Sequence, residues 1–152
     1  MKKVLMILGG VFLVLIIIAI LGLVSSSAKI NNLGKEAKAF VDQTVPIICS
    51  DFNFDSFKKY ASNELLNSES PSENEKLFGY FKKLGKFVTY EGSSGFASMN
   101  YHQNEGNTIT GIYTAKAEFE TGPAEIYVQT IKIGDAWLYY SFKIDSKVFL
   151  AK

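Results

Sequence analysis

The chain has 152 residues, 16 basic and 15 acidic, so its formal net charge at pH 7 is +1. From residue 29 onward, 14 lysines face 15 acidic residues, which leaves no basic excess to attract nucleic acid. We therefore expect no nucleic acid among its partners. Cys49 is the only cysteine, which excludes an internal disulfide and a cysteine-rich metal site. No metal or other cofactor is expected.

The N-terminus has the pattern of a membrane anchor. Lys2 and Lys3 precede an uncharged, strongly apolar run from Val4 to Val24. As a helix this run would be about 31 Å long, which matches a hydrocarbon core of about 30 Å. We predict a single transmembrane helix with boundaries at Val4 and Val24. Residues 1–28 would form the anchor and a short exit linker, and residues 29–152 one folded domain.

A cleaved secretory signal is the alternative, because the small residues Ser26 and Ala28 precede Lys29. The apolar run is long for a signal, which favours a retained anchor. No cysteine follows the run where a lipoprotein would need one. With so few residues before the helix, we expect a single-pass protein of the cell membrane, its N-terminus cytoplasmic and its domain periplasmic or extracellular. The lysines that follow the run, Lys29, Lys35 and Lys38, weaken the charge asymmetry behind this topology.

Three helices are predicted after the anchor. Apolar residues at helical spacing indicate a helix from about Asn32 to Ile48, and Pro46 predicts that it kinks there or ends before it. A second helix is predicted from about Phe54 to Leu66. Ser70-Pro71-Ser72-Glu73 combines a capping box with a proline at the first helical position, so a third helix should begin at Pro71. Gly85 provides its stop.

From Phe87 onward, segments rich in β-branched and aromatic residues alternate with turn residues, which predicts antiparallel strands. Gly92-Ser93-Ser94-Gly95 is interpreted as a connection between the first two, and the residues from Gln103 to Asn107 as a longer loop. Alternation predicts one buried face for the sheet. The last two strands are apolar on both sides, so one of their faces needs a second cover. The predicted strands are Phe87 to Glu91, Phe96 to Tyr101, Thr108 to Glu120, Ala124 to Ile133 and Trp137 to Ile144.

Helices followed by an antiparallel sheet predict an α+β domain. Four segments carry a resemblance: Phe40-Val41-Asp42, the run from Phe57 to Leu66, Lys82-Lys83-Leu84-Gly85, and the hairpin Ile133-Gly134-Asp135-Ala136-Trp137. Through these four segments, the chain from Ala39 to Ile144 resembles the nuclear transport factor 2-like, or cystatin-like, superfamily. The resemblance is strongest to short bacterial versions with an N-terminal anchor. The resemblance implies about three helices packed on a curved, cone-like antiparallel sheet of four to five strands.

Some superfamily members act as isomerases or dehydratases, with an acidic residue, histidine or tyrosine in the mouth of the cone. Here aromatic side chains are the candidates for lining such a pocket, without an acidic residue beside them. An aromatic pocket without a base favours binding over catalysis, and core packing is the simpler interpretation. The candidate pocket residues are Tyr101, Tyr113, Tyr127, Trp137 and Tyr139.

Other reactive residues have ordinary structural interpretations. His102 has no partner in the sequence that defines a proton-transfer role. Cys49 lies in an apolar stretch typical of a buried thiol. The acidic residues match no calcium loop and, where they alternate in a strand, are expected on a solvated face. These acidic candidates are Asp51, Asp55, Glu64, Glu118, Glu120 and Glu125.

Three functions therefore compete. The first is a membrane-anchored module that binds a protein partner, or a second copy, through the sheet face or the mouth of the cone. The second is a pocket for a small apolar ligand. The third, an enzyme, is the weakest because the sequence shows no acid, base and nucleophile together.

Overall fold

The computed structural model describes residues 29–102 and 106–150, and the side chains of these residues other than 101 and 102. The predicted anchor from Val4 to Val24 lies outside the described residues. Within the described chain, no helix combines the length and the apolar character needed to cross a bilayer.

The domain is α+β, with helices packed on a four-stranded antiparallel sheet. Residues 29–51 form helix α1, which is followed by α2 (Phe54–Phe57), α3 (Asn63–Leu66) and α4 (Pro71–Phe81). Single 3-10 turns cover Lys58–Tyr60, Lys82–Leu84 and Lys147–Leu150. The strands are β1 (Phe87–His102), β2 (Gly106–Phe119), β3 (Gly122–Ile133) and β4 (Ala136–Asp145). They pair in chain order, each with the next.

Helix α1 packs along the sheet with a face of apolar residues at helical spacing. Leu33, Ala37, Val41, Val45 and Ile48 are all buried, as their spacing predicts. The helix continues through Pro46 to residue 51, so the alternative that it ends before the proline is wrong.

The second predicted helix is not continuous. Between α2 and α3 the chain becomes extended at Ala61, which forms a parallel bridge with Tyr139 of β4. The Ser62 amide donates to the Tyr139 carbonyl at 2.8 Å, and the Ser62 hydroxyl caps α3 by accepting from the Leu65 amide. Pairing with the sheet edge therefore replaces one helical turn, which local periodicity does not reveal.

The third helix begins where the sequence predicts, and the 3-10 turn Lys82–Leu84 continues it from Phe81 to Gly85. Ser70 and Glu73 form a reciprocal capping box around Pro71. The stop is Gly85, whose φ of 74° lies in the region that favours glycine. The buried residues of α4 are Asn74, Phe78 and Phe81, whereas Leu77 is 42% exposed.

The first two predicted strands are one. The Gly92 to Gly95 segment lies inside β1, and no loop separates the strands there. Close approach explains its composition, since a Cβ on Gly95 would lie 2.0 Å from the Ile112 carbonyl oxygen. Two register shifts, near Val88 and Glu91, indicate bulges in the first part of β1.

The core lies between the helices and one face of the sheet. Its centre is a chain of aromatic contacts: Phe52 stacks on Phe119, with ring centroids 5.6 Å apart, and Phe57 meets Phe78 at 4.9 Å. Cys49 is buried beside this cluster, and burial raises the pKa of its thiol to about 12. The thiol is therefore protonated and unreactive at neutral pH.

Candidate interaction surface

The two faces of the sheet differ because strand side chains alternate. In β2, Tyr113, Ala115, Ala117 and Phe119 are buried against the helices, as the alternation predicts. The side chains between them point to the opposite face, which we call the outer face. The helices of the described chain pack on the inner face, so the outer face is the side that remains open.

Large apolar side chains lie on this open face. We call them the outer patch, and its members come from all four strands. Five are strongly exposed: Phe96 (63%), Ile112 (51%), Ile133 (50%), Tyr140 (46%) and Tyr127 (40%). Two more, Ile131 and Leu138, are half-buried between them.

Strand register places the members of the outer patch in adjacent rows, with Gln129 and Ser141 among them. Phe96 pairs with Ile112, and Ile112 pairs in turn with Gln129 of β3. One row further along, Ile131 pairs with Leu138. A bulge in β4 connects these rows, because Tyr140 is an extra residue between the paired positions of Tyr139 and Ser141.

A shallow depression of about 410 Å³ lies on the outer face. Ile112 and Tyr127 contribute its apolar wall, and Gln129, Ser141 and Lys143 its polar wall. The surface thus offers both apolar area and hydrogen-bonding groups, as the core and rim of a protein interface do.

Charged residues border the outer patch at one end. Lys116 of β2 faces Glu125 of β3 across the ladder, with 3.8 Å between their charged atoms. The Tyr127 hydroxyl donates to the Glu125 carboxylate at 2.5 Å, and this hydrogen bond raises the pKa of Tyr127. Lys143 and Asp145 continue this mixed-sign border on β4.

The structure separates the residues predicted to line a pocket. Tyr113, Trp137 and Tyr139 are buried on the inner face, whereas Tyr127 is exposed on the outer face. The side chain of Tyr101 lies outside the described part of the chain. The four described residues therefore do not line one common cavity.

The inner tyrosines are held as core residues. The Tyr113 hydroxyl donates to the Gly34 carbonyl at 2.9 Å. Thr44 donates its proton to the Phe40 carbonyl, so Tyr139 must donate to the Thr44 hydroxyl, at 2.6 Å. The ring of Tyr139 is surrounded by those of Phe40, Phe57 and Phe142. Among the described residues, no buried side-chain nitrogen or oxygen lacks a hydrogen-bond partner.

The histidine and acidic candidate residues are not brought together in one site either. His102 ends β1, and its side chain is not among those described. Asp55 pairs with Lys58, and Asp51 accepts from the Asn53 amide. The Glu120 carboxylate accepts from the Lys86 amide. In residues 29–102 and 106–150, no three acidic, histidine or cysteine side chains lie close enough to hold a metal ion.

One polar cluster was missed by sequence reasoning. Asp42 of α1 accepts hydrogen bonds from the Tyr90 hydroxyl at 2.7 Å, the Ser93 hydroxyl at 2.6 Å and the Ser93 amide at 3.1 Å, and it pairs with Lys38. Burial opposes ionisation, but these bonds outweigh it, so the pKa of Asp42 lies below its ordinary value. Burial and the bond to Asp42 raise the pKa of Tyr90. Every partner is accounted for within the fold, so the cluster connects α1 to the bulged part of β1.

This cluster predicts a pH dependence of stability. Because the folded pKa of Asp42 is lowered, its contribution is complete above the unfolded value of about 3.9 and is lost as pH falls through the folded pKa. Asp42→Asn should lower the free energy of unfolding at pH 7 by about 1 kcal/mol, since the site is partly exposed. Urea titrations at pH 7 and pH 3 measure this. An equal loss of stability on acidification in the variant and the wild type would contradict it.

Comparison with known proteins gave no match: no family model, no curated protein and no solved structure is measurably similar to this chain. The class of protein is therefore defined by the structure alone. It is an α+β domain in which helices cover one face of a four-stranded sheet and an apolar patch lies open on the other.

Proposed function

We propose that the protein is a single-pass membrane-anchored module whose extracytoplasmic domain binds protein through the outer patch. The observation that carries the proposal is the exposure of five large apolar side chains on one sheet face. The anchor rests on the apolar run from Val4 to Val24, with the N-terminus cytoplasmic and the domain periplasmic or extracellular. A mature protein that starts at Lys29 would instead be a secreted one.

The chemistry of the patch suits a protein partner. A solvated sheet face is ordinarily polar, whereas this one carries Phe96, Tyr127 and Tyr140 among isoleucines. Aromatic residues are enriched at interfaces, and a contiguous apolar patch with a polar border is typical of them. Assembly at a membrane surface needs no catalytic group, which agrees with the structural roles of the titratable residues above.

One observation favours a second candidate function. The depression of about 410 Å³ beside Ile112 and Tyr127 falls within the range of small-ligand sites, about 300 to 1,000 Å³. An apolar ligand would then bind on the outer face and not among the buried tyrosines. Such a ligand would contact a single sheet face, which makes the protein partner the better fit.

We propose further that the sheet is curved and cone-like. Bulges bend strands and increase their twist, and register shifts occur in both β1 and β4. They support a sheet that curves around α1. The resemblance to nuclear transport factor 2-like domains stays a prediction, since it rests on the sequence segments alone.

Capture of partners by the full-length protein in mild detergent tests the proposed function. Ile112→Lys places a charge in the middle of the outer patch, while Leu77→Lys places one on a comparably exposed residue of α4. We expect the wild type and Leu77→Lys to recover the same partner, another protein or a second copy. Ile112→Lys should recover at least about tenfold less, because burying an unpaired charge is costly.

Two outcomes would contradict the proposed function. Equal recovery of the partner by all three proteins would show that the outer patch does not bind it. Recovery of no protein at all, and of no second copy, would remove the binding function itself.

A further inference from the structure

The direction of α1 relative to the sheet determines where the N-terminal segment leaves the domain. Gly34, near the start of the described helix, accepts from Tyr113, and Phe52 just after its end stacks on Phe119. The helix and β2 therefore run in the same direction. Lys29 lies at the end of the sheet where β2 begins, and residues 1–28 join the domain there.

This direction restricts how two anchored copies can meet. If both anchors enter the same bilayer, parallel copies of α1 bring Lys29 of both copies to the same end of the dimer. A twofold axis parallel to the strands, between two stacked outer faces, keeps them aligned. Edge-to-edge pairing of antiparallel β1 strands uses an axis perpendicular to the sheet, which reverses one helix. Face-to-face stacking is thus the arrangement that fits anchored copies.

The charges at the border of the patch are self-complementary under that axis. Lys116 and Glu125 are directly paired neighbours on the two central strands. A twofold axis between β2 and β3 exchanges the two strands, so Lys116 of one copy faces Glu125 of the other, and the reverse. The same operation places Phe96 of β1 opposite the Tyr140 region of β4. Ile112 then lies opposite Gln129 of the other copy, so aromatic groups meet at the two sides of the interface and opposite charges meet at its border.

The area of the outer face is of the order that a standard protein interface buries. Four strands about 4.8 Å apart, over about ten residues of about 3.3 Å each, give a face of roughly 600 Å² in projection. Side-chain relief increases this, and a standard interface buries about 800 Å² per partner. Two stacked sheets would lie about 10 Å apart, as in a β-sandwich.

We propose that the outer patch is the interface of a homodimer, in which a second copy of this chain stacks face to face about a twofold axis parallel to the strands. This inference rests on the proposed function and names its partner. The dimer supplies the second cover for the outer face of β3 and β4.

Two charge-reversal variants test whether a second copy of the chain binds the outer patch. Lys116→Glu makes both positions of this pair acidic, and Glu125→Lys makes both basic. In full-length protein in detergent, we expect each variant alone to dimerise at least about tenfold more weakly than the wild type, because like charges face each other. An equal mixture, carrying two different tags, should form heterodimers about as well as the wild type forms homodimers.

The mixture separates the interface from effects within one chain. Both single variants lose the 3.8 Å pair inside their own sheet, and mixing cannot restore it. Recovery on mixing therefore reports contact between copies. A mixture that associates no better than its components, or a wild type that stays monomeric at about 100 μM, overturns the homodimer; that concentration sits well above the micromolar range of specific complexes.

The two proposals fail in different ways. If the wild type is monomeric but captures another protein that Ile112→Lys loses, the homodimer is wrong and the proposed function stands. If Ile112→Lys changes neither capture nor association, both are wrong. Circular dichroism of each variant shows whether it retains the fold.

Discussion

Replacing Gly95 with alanine is expected to lower the free energy of unfolding by about 3 kcal/mol, the upper range for overpacking. The new Cβ would lie 2.0 Å from the Ile112 carbonyl oxygen and 2.7 Å from the Tyr113 Cα. Both are backbone atoms, so relief requires β1 and β2 to move apart. Urea unfolding followed by the fluorescence of Trp137, the only tryptophan, measures the change.

Gly79 of α4 provides the matched control. A Cβ there meets nothing within 4 Å, and the residue is helical. Gly79→Ala should therefore stabilise the protein by about 0.5 to 1 kcal/mol, from helix propensity and the reduced freedom of the unfolded chain. Similar effects of the two substitutions would show that β1 and β2 do not approach as closely at Gly95 as described.

Truncating Tyr139 to alanine should cost about 4 kcal/mol, in the range for a large aromatic residue in a core. The ring is fully buried among three phenylalanine rings, and its hydroxyl binds Thr44. Tyr139→Phe should cost only about 1 kcal/mol, because Thr44 keeps its bond to the Phe40 carbonyl. The same urea titration measures both variants.

The adjacent residue, Tyr140, should behave in the opposite way. It is 46% exposed in the outer patch, so Tyr140→Ala should change the stability of the isolated domain by less than about 0.5 kcal/mol. It should nevertheless weaken protein association, since aromatic residues contribute strongly to interfaces. A large loss of stability in Tyr140→Ala, or none in Tyr139→Ala, would mean that the two faces of β4 have been exchanged.

The features that sequence predicts best here are those with local causes. The capping box at Ser70 and Glu73 identified the start of α4, and Gly85 identified its stop. Alternation predicted which side of β2 is buried. In each case the decisive contacts lie within a few residues along the chain, so the pattern itself contains them.

The features that sequence missed depend on distant contacts. The break after Tyr60 exists because Ala61 and Ser62 pair with Tyr139, nearly eighty residues away along the chain. Gly92 and Gly95 suggest a turn locally, yet Gly95 is small because β2 passes close to it. The Asp42 cluster likewise joins groups about fifty residues apart. No local pattern carries this information.

The candidate surface was partly predictable. The two-sided apolar character of β3 and β4 indicated that a second face would need cover, and the structure places Tyr127, Ile131 and Tyr140 on that open face. Tyr127 is aromatic like the buried tyrosines, and residue type alone assigns it to the same predicted pocket. Tyr127 alternates with the buried residue Val128 in β3, and this alternation indicates that its side chain lies on the opposite face from the buried tyrosines.

The central claim is that the outer patch is covered by protein in the cell. Cysteine labelling in native membranes tests this claim most directly. Cys49 is buried and protonated, so the wild type should give almost no labelling with a maleimide. Ile112→Cys reports on the outer patch, and Leu77→Cys on an exposed site of α4. We predict rapid labelling of Leu77→Cys and strong protection of Ile112→Cys, lost when detergent and dilution separate the partners. Equally rapid labelling of both cysteines in the membrane would contradict the account.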